Sequence, residues 1–245
     1  MSFFKDYLRR TDDRAVTKWL HYLPIYEREL ARFREKPVTF LEIGIFKGGS
    51  LPMWKEFFAP GSTLVFIDID PDCAQLSEPG THIEIGNQAD KAFLRKLKKK
   101  YGPFDVIIDD GSHLSAHQIA SFRALWPSLR ENGLYIVEDC HTSYWEGFGG
   151  GYRIPKSFIE FTKRLIDRMH SWYTEDPKRF PFDPIAKEIH ALRIFDSIVM
   201  IEKQLRKEPP TSFSSQNGVR RDTRRALNQP THFSTFRGKD GGADG

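Results

Sequence analysis

Five short apolar runs alternate with segments of helical period, and few folds accommodate that order. The runs are PVTFLEIG (37–44), STLVFIDID (62–70), THIEIGNQ (81–88), FDVIIDDG (104–111) and LYIVEDC (134–140). Each is rich in β-branched or aromatic residues and seven to nine residues long, the signature of a buried strand with its turn. Between them GGSLPMWKEFFAPG (48–61), KAFLRKLKKKYG (91–102) and SAHQIASFRALWPSLRENG (115–133) read as helices, the last closed by Gly133 as its C-cap. PKSFIEFTKRLIDRMHSWY (155–173) is a further helix, and IHALRIFDS (189–197) with IVMIEKQ (198–204) form a hairpin turning at Asp196–Ser197. Strands that alternate with helices require a parallel sheet covered on both faces, and the closing hairpin adds one antiparallel strand. Before this frame, TKWLHYLPIYERELARFRE (17–35) carries Trp19, Tyr22, Tyr26, Leu30 and Phe33 at spacings of three and four, an amphipathic helical segment that Pro24 restarts or kinks.

The strand ends carry the chemistry. In IIDDGSH (107–113) and again in YIVEDCH (135–141) an apolar run ends in two adjacent acids followed by a histidine. Asp109, Asp110, Glu138 and Asp139 would sit side by side at one edge of the sheet and repel one another unless a cation lay among them. That edge, beyond the carboxyl ends of parallel strands, is where such sheets bind ligands. LEIGIFKGGS (41–50) adds a strand–glycine loop–helix element. Gly44 permits a sharp turn, and Gly48 and Gly49 admit close approach of backbone. Asp68, about 20 residues past that loop, is placed to accept hydrogen bonds from two ribose hydroxyls. No G-x-G-x-x-G dinucleotide pattern is present.

Charge narrows the classes. The net charge of +4 arises entirely in residues 206–245, which hold eight Lys/Arg and four Asp/Glu, while the remaining 205 residues carry 29 of each sign. A balanced body is not a phosphate-binding surface, so nucleic acid is not an expected partner. The run RKLKKK (95–100) reads as the solvated end of a helix. No apolar stretch reaches 18 residues and the N-terminus has no apolar signal core, so a cytoplasmic protein without a membrane span is expected. Cys73 and Cys140 suit a reducing compartment. From Lys207 onward the composition is polar and aperiodic, so the expected organisation is one domain over 1–205 and a disordered basic tail over 206–245.

EIGIFKGGS, FIDID, GNQAD and DVIIDDGSH, in this order, resemble the class I S-adenosylmethionine-dependent methyltransferases. The resemblance implies a Rossmann-like, doubly wound, seven-stranded, mostly parallel sheet with one antiparallel strand and helices on both faces. It implies S-adenosylmethionine as cofactor, with Glu42, Gly44, Gly49 and Ser50 at its amino-acid end, Asp68 at the ribose and Gln88 at the adenine. Asp109 is assigned to the cofactor side, at its amine, with holding the loop after its strand as the other reading.

DDGSH and EDCHTSYW joined to KWLHYLPIYE narrow the resemblance, over roughly residues 15–205, to the metal-dependent sugar O-methyltransferases of macrolide biosynthesis. The chain is shorter than those enzymes and is expected to lack their N-terminal domain. The implied metal is Mg²⁺, with Asp110, Glu138 and Asp139 as oxygen ligands, a hard donor set that suits it. Coordination would make a sugar hydroxyl acidic enough to react, and His113 is the implied general base. Tyr144 and Trp145 are candidates to stack on a sugar ring or to pack inward, and His21 and Tyr22 to close over the cofactor or to pack as helix residues. The expected acceptor is a small glycoside or a glycan, and a homo-oligomer is compatible with it. A nicotinamide oxidoreductase and a metal-dependent hydrolase are the competing readings; the first lacks the dinucleotide glycine pattern.

Overall fold

Parallel pairing in register brings the acidic strand ends to one line. In the computed structural model, which describes residues 2–10, 14–216 and 219–224, the strands β1 (Thr39–Ile43), β2 (Thr63–Asp68), β3 (Thr81–Ile85), β4 (Phe104–Asp109) and β5 (Leu129–Val137) pair in parallel. With β6 (Ile189–Phe195) and β7 (Ile198–Lys203) they form one seven-stranded sheet in the order β3-β2-β1-β4-β5-β7-β6. β7 runs antiparallel to β5, as the closing hairpin predicts. Ile43 pairs with Asp109 and Asp109 with Val137, so Gly44, Asp110 and Glu138 leave the sheet side by side. The bonds Asp110 N–H to Ile43 O (2.9 Å) and Glu138 N–H to Asp109 O (3.0 Å) fix that alignment. The winding direction reverses between β1 and β4, so this edge is the switch point at which the sheet opens a crevice.

The helices α3 (Ser50–Phe57), α4 (Lys91–Tyr101) and α5 (Ser115–Leu125) connect these strands, and α6 (Phe158–Met169) follows β5. Asp90 caps α4 by accepting from Ala92 N–H and Phe93 N–H, and Lys98, Lys99 and Lys100 end it, where the helix dipole favours cations. Two short helices precede β1: α1 (Phe3–Arg9) and α2 (Tyr22–Glu29). They bury Phe4 and Tyr26 against Trp54 and Phe57 of α3, with ring centroids 4.9–5.9 Å apart. Each such ring contributes about 1.5–3 kcal/mol by leaving water.

Three sequence expectations change. The segment 17–35 is helical only from Tyr22; Pro24 lies in the first turn of α2, where its missing N–H leaves no bond unmade. The helix expected to run to Gly133 ends at Leu125, because Pro127 cannot donate to continue the ladder, and a 3₁₀ turn over Trp126–Ser128 leads straight into β5. Gly133 lies within β5, where a Cβ would meet Asp105 O at 2.9 Å. Within the expected tail, β8 (Thr211–Gln216) and β9 (Val219–Arg224) pair as an antiparallel ribbon, while residues 225–245 lie outside the described residues. TSFSSQ and VRRDTR offer too few apolar residues for a hydrophobic pattern to announce them.

The chain divides into two compact units, Met1–Thr162 with Ala191–Lys203, and Lys163–His190 with the described residues from Gln204 onward. The first contains the sheet edge described above. The second is held by Arg168, which donates to both oxygens of Asp183 (2.6 and 3.3 Å), and by Trp172 Nε1–H donating to Ala186 O at 2.8 Å. Among the described residues no helix is long and apolar enough to cross a membrane.

Candidate active site

Asp110, His113 and Asp139 come together at the switch point, each with a side chain 23% exposed. One ligand atom from each lies within 4.8 Å of the other two. His113 Nε2 is 3.6 Å from Asp139 Oδ2 and 3.9 Å from Asp110 Oδ1, too far for a hydrogen bond to either and aimed between them. His113 Nδ1 is buried and has no hydrogen-bond partner. Both His113 (φ 57°) and Asp139 (φ 53°) adopt left-handed backbone, a strain of about 1–3 kcal/mol each that clusters at functional sites. The loops are tied together where they present these groups: Thr142 Oγ1–H donates to His113 O (3.2 Å) and Gln118 Nε2–H to Glu138 O (3.3 Å). Two carboxylate oxygens around one partly open space, with the His113 imidazole beside them, fit a hard divalent cation whose remaining positions go to water or substrate oxygens.

A second tier of charge lies beneath. The Lys18 side chain is only 4% exposed and donates to Asp110 Oδ2 (2.5 Å) and to Glu138 Oε1 and Oε2 (2.8 and 2.9 Å), with Glu42 Oε1 at 3.9 Å. Glu138, 1% exposed, also accepts from the Tyr26 hydroxyl. Burial, reinforced by the charge of Asp110, pushes the Glu138 carboxyl up to about 8 against the pull of Lys18 and Tyr26. Burial likewise lifts Glu42 to about 7, while Lys18 and Ser50 draw it down. Burial would depress the Lys18 ammonium, but Asp110, Glu138 and Glu42 together hold it well above its ordinary value. The Tyr22 hydroxyl donates to Asp139 Oδ1 at 2.6 Å.

Two adjoining cavities open beside these groups. The larger, about 360 Å³, is walled by Gly44, Ile67, Asp68, Gly86, Gln88 and Gly111 among others. The smaller, about 260 Å³, is walled by residues 15–18, Gly49, Ser50, His113 and Asp139. Both include Gly44, Phe46, Asp110 and Gly111 in their walls, so Asp110 stands at the seam, with His113 and Asp139 beside it in the wall of the smaller cavity. Asp68 is set in the larger cavity by Ile45 N–H (2.7 Å) and Phe46 N–H (3.2 Å), which hold its Oδ2. Gln88 is fixed from both ends: its Nε2–H donates to Asp109 Oδ1 (2.9 Å) and its Oε1 accepts from Ser112 N–H (2.8 Å).

Residues 41–140 match the methyltransferase-domain family Methyltransf_24. The 8-demethyl-8-alpha-L-rhamnosyl tetracenomycin-C 2'-O-methyltransferase of Streptomyces olivaceus is 40% identical over 200 residues, 76% of this chain and 52% of that one. The mycinamicin VI 2''-O-methyltransferase of Micromonospora griseorubida is 38% identical over 197 residues, 76% of this chain and 49% of that one. The MycE methyltransferase of the mycinamycin pathway, solved in complex with Mg and SAH, superposes with a TM-score of 0.71 at 34% identity over 83% of this chain and 54% of that one. Over residues 41–140 the chain carries a methyltransferase domain. The chain spans about half the length of the relatives it matches.

In this methyltransferase domain the expected site residues fall into two groups. Gly44, Gly49, Ser50, Asp68, Gln88, Asp110, His113 and Asp139 line the cavities. Glu42, Asp109 and Glu138 stand behind the walls. Glu42 accepts from Ser50 Oγ–H at 2.6 Å, and Asp109, fully buried, accepts from Gln88 and from the Ser121 hydroxyl. Gly49 is required by the chain itself, since a Cβ there would lie 2.3 Å from Ala15 O. Cys140 is buried, its Sγ–H pointing to Val137 O, and burial pushes its thiol up, so it packs inward. His21 Nε2 lies 3.1 Å from Asp196 O rather than over a cavity.

Sequence reasoning missed Lys18 and Tyr26, and for Tyr22 it offered closure over the cofactor or helix packing, not a hold on Asp139. The available signal was a spacing of four, Lys18–Tyr22–Tyr26, but two tyrosines at helical period are also what a core face looks like.

Proposed function

We propose that the protein is an S-adenosylmethionine- and Mg²⁺-dependent O-methyltransferase acting on a sugar hydroxyl of a glycosylated small molecule. The observation that carries this reading is the convergence of Asp110, His113 and Asp139 in the wall of the smaller cavity, where Asp110 also borders the larger one. Its relatives support the acceptor class: the Streptomyces olivaceus enzyme is named for 2'-O-methylation of a rhamnosyl tetracenomycin, and the MycE enzyme has been solved with Mg, SAH and mycinamycin VI. On this reading Asp68 accepts from the cofactor ribose, Gln88 borders its adenine, and Gly44, Gly49 and Ser50 flank its amino-acid end. Glu42 then acts through Ser50, and Asp109 by fixing Gln88. Asp110 and Asp139 would hold the ion, and Glu138, its oxygens taken by Lys18 and Tyr26, stands behind them.

S-adenosylmethionine supplies an activated methyl group, and Mg²⁺, when bound, supplies the positive charge that makes a neighbouring hydroxyl acidic. The residues do the rest. Asp110 and Asp139 hold the charge at the mouth of the small cavity. His113 Nε2 accepts the hydroxyl proton as the acceptor oxygen takes the methyl group, giving a methyl ether and S-adenosylhomocysteine. Orientation then dominates the barrier, because the donor carbon needs no further activation. Trp19 (54% exposed) and Trp145 (52%) stand edge-on to His141 with ring centroids 5.8 and 4.8 Å away, two residues from Asp139. These exposed indoles form an apolar shelf on which the C–H face of a sugar would stack.

The test is incubation with labelled methyl donor and a panel of glycosides. Label should enter a glycoside with added Mg²⁺ and fail to do so with a chelator. Turnover of an ester or phosphoester without donor, or of a glycoside with NAD, would replace this reading by one of its rivals.

A further inference from the structure

Asp110, Glu138 and Asp139, at the ends of β4 and β5, are each gripped by a residue of one row spaced four apart, Lys18 ahead of α2 and Tyr22 and Tyr26 within it. Lys18 holds Asp110 Oδ2 and both oxygens of Glu138; Tyr22 holds Asp139 Oδ1; Tyr26 holds Glu138 Oε1. The atoms left over are informative. Asp110 Oδ1 and Asp139 Oδ2, the oxygens the row does not take, are the two that face His113 Nε2. We propose that Lys18, Tyr22 and Tyr26 are positioning residues that turn the three carboxylates so that one oxygen of Asp110 and one of Asp139 converge on a divalent cation. This rests on the metal site of the proposed function.

The grip is built rather than incidental. Tyr22 and Tyr26 are fully buried, and their rings meet edge-on at 6.3 Å, so neither hydroxyl can swing away without opening the core. The segment before them is anchored on its other side by Arg14, which donates to Leu76 O (3.3 Å). It also lies so close to the glycine loop that a Cβ at Gly49 would meet Val16 at 2.5 Å. A carboxylate has about four acceptor positions. One donor therefore fixes its rotation and leaves room for an ion, and such partners of metal ligands alter affinity by about 10- to 100-fold. By charge alone the Lys18 ammonium would weaken a divalent ion; the orientation it imposes is the effect taken to prevail.

The test uses the full chain and Mn²⁺ followed by the electron paramagnetic resonance of the free ion, which reads binding without turnover. Tyr22→Phe removes one hydroxyl and no charge. It should weaken Mn²⁺ binding about tenfold, with S-adenosylhomocysteine affinity, measured by calorimetry, unchanged. Tyr26→Phe should weaken Mn²⁺ binding in the same direction. Lys18→Met should do so at least as strongly; should that variant not fold, the two tyrosine variants decide alone. Wild-type Mn²⁺ affinity in both tyrosine variants, or tighter binding in Lys18→Met, would overturn the inference while leaving the metal site standing. A wild-type protein that binds no Mn²⁺ would remove the metal site and the inference together.

Discussion

His113 combines a left-handed backbone, an unpartnered Nδ1 and an Nε2 aimed between two carboxylates, and no packing role explains all three. As a proton acceptor it should be dispensable for holding the ion. His113→Ala is expected to lower kcat by about 10²- to 10⁴-fold, with Mn²⁺ affinity preserved; a parallel loss of Mn²⁺ would make it a ligand instead. Asp139→Asn keeps the shape and the acceptor for the Tyr22 hydroxyl but removes the charge. It should abolish metal-dependent turnover while S-adenosylhomocysteine still binds, as calorimetry would show. Glu138 illustrates how burial and partners divide the work among adjacent acids. It is adjacent in sequence to Asp139, yet it faces the interior with Lys18 and Tyr26 while Asp139 faces the cavity, because Asp139 turns into the left-handed region.

At the scale of elements, the register of β1, β4 and β5 does most of the construction, and the loop after β1 completes it. Gly44 has φ 100°, and a Cβ there would lie 2.1 Å from Asp110 O, so the two strand tips touch only because this residue has no side chain. Gly44→Ala should destabilise the fold by more than about 2 kcal/mol, visible as a lower denaturant midpoint. A wild-type midpoint would mean that the tips are not packed as described. The strands and their acidic ends were legible in the sequence because β-branched runs closed by Gly44, Asp68, Gly86, Asp110 and Glu138 have one reading in a parallel sheet. The end of α5 was less so: a glycine at 133 looks like a cap, whereas Pro127 had already stopped the helix. The row Lys18–Tyr22–Tyr26 was hidden for a different reason. Its partners lie 92 to 120 positions away in sequence, and a lysine before an amphipathic run looks like a solvated charge until the fold buries it.

Over the whole molecule, every residue assigned to the candidate site belongs to the unit formed by Met1–Thr162 and Ala191–Lys203. That unit should therefore respond to cofactor as one cooperative body. S-adenosylhomocysteine at about 100 times its Kd should add about 2.7 kcal/mol to stability and raise the thermal midpoint, whereas NAD should leave it in place. The metal proposed between the tips of β4 and β5 is the central claim, and anomalous diffraction from crystals grown with Mn²⁺ and S-adenosylhomocysteine addresses it directly. The expected result is a single peak about 2.1 Å from an oxygen of Asp110 and an oxygen of Asp139, beside His113 and open to the small cavity. A map with no peak there, or with one shut away from the cofactor sulfur, would contradict metal-assisted methyl transfer by this protein.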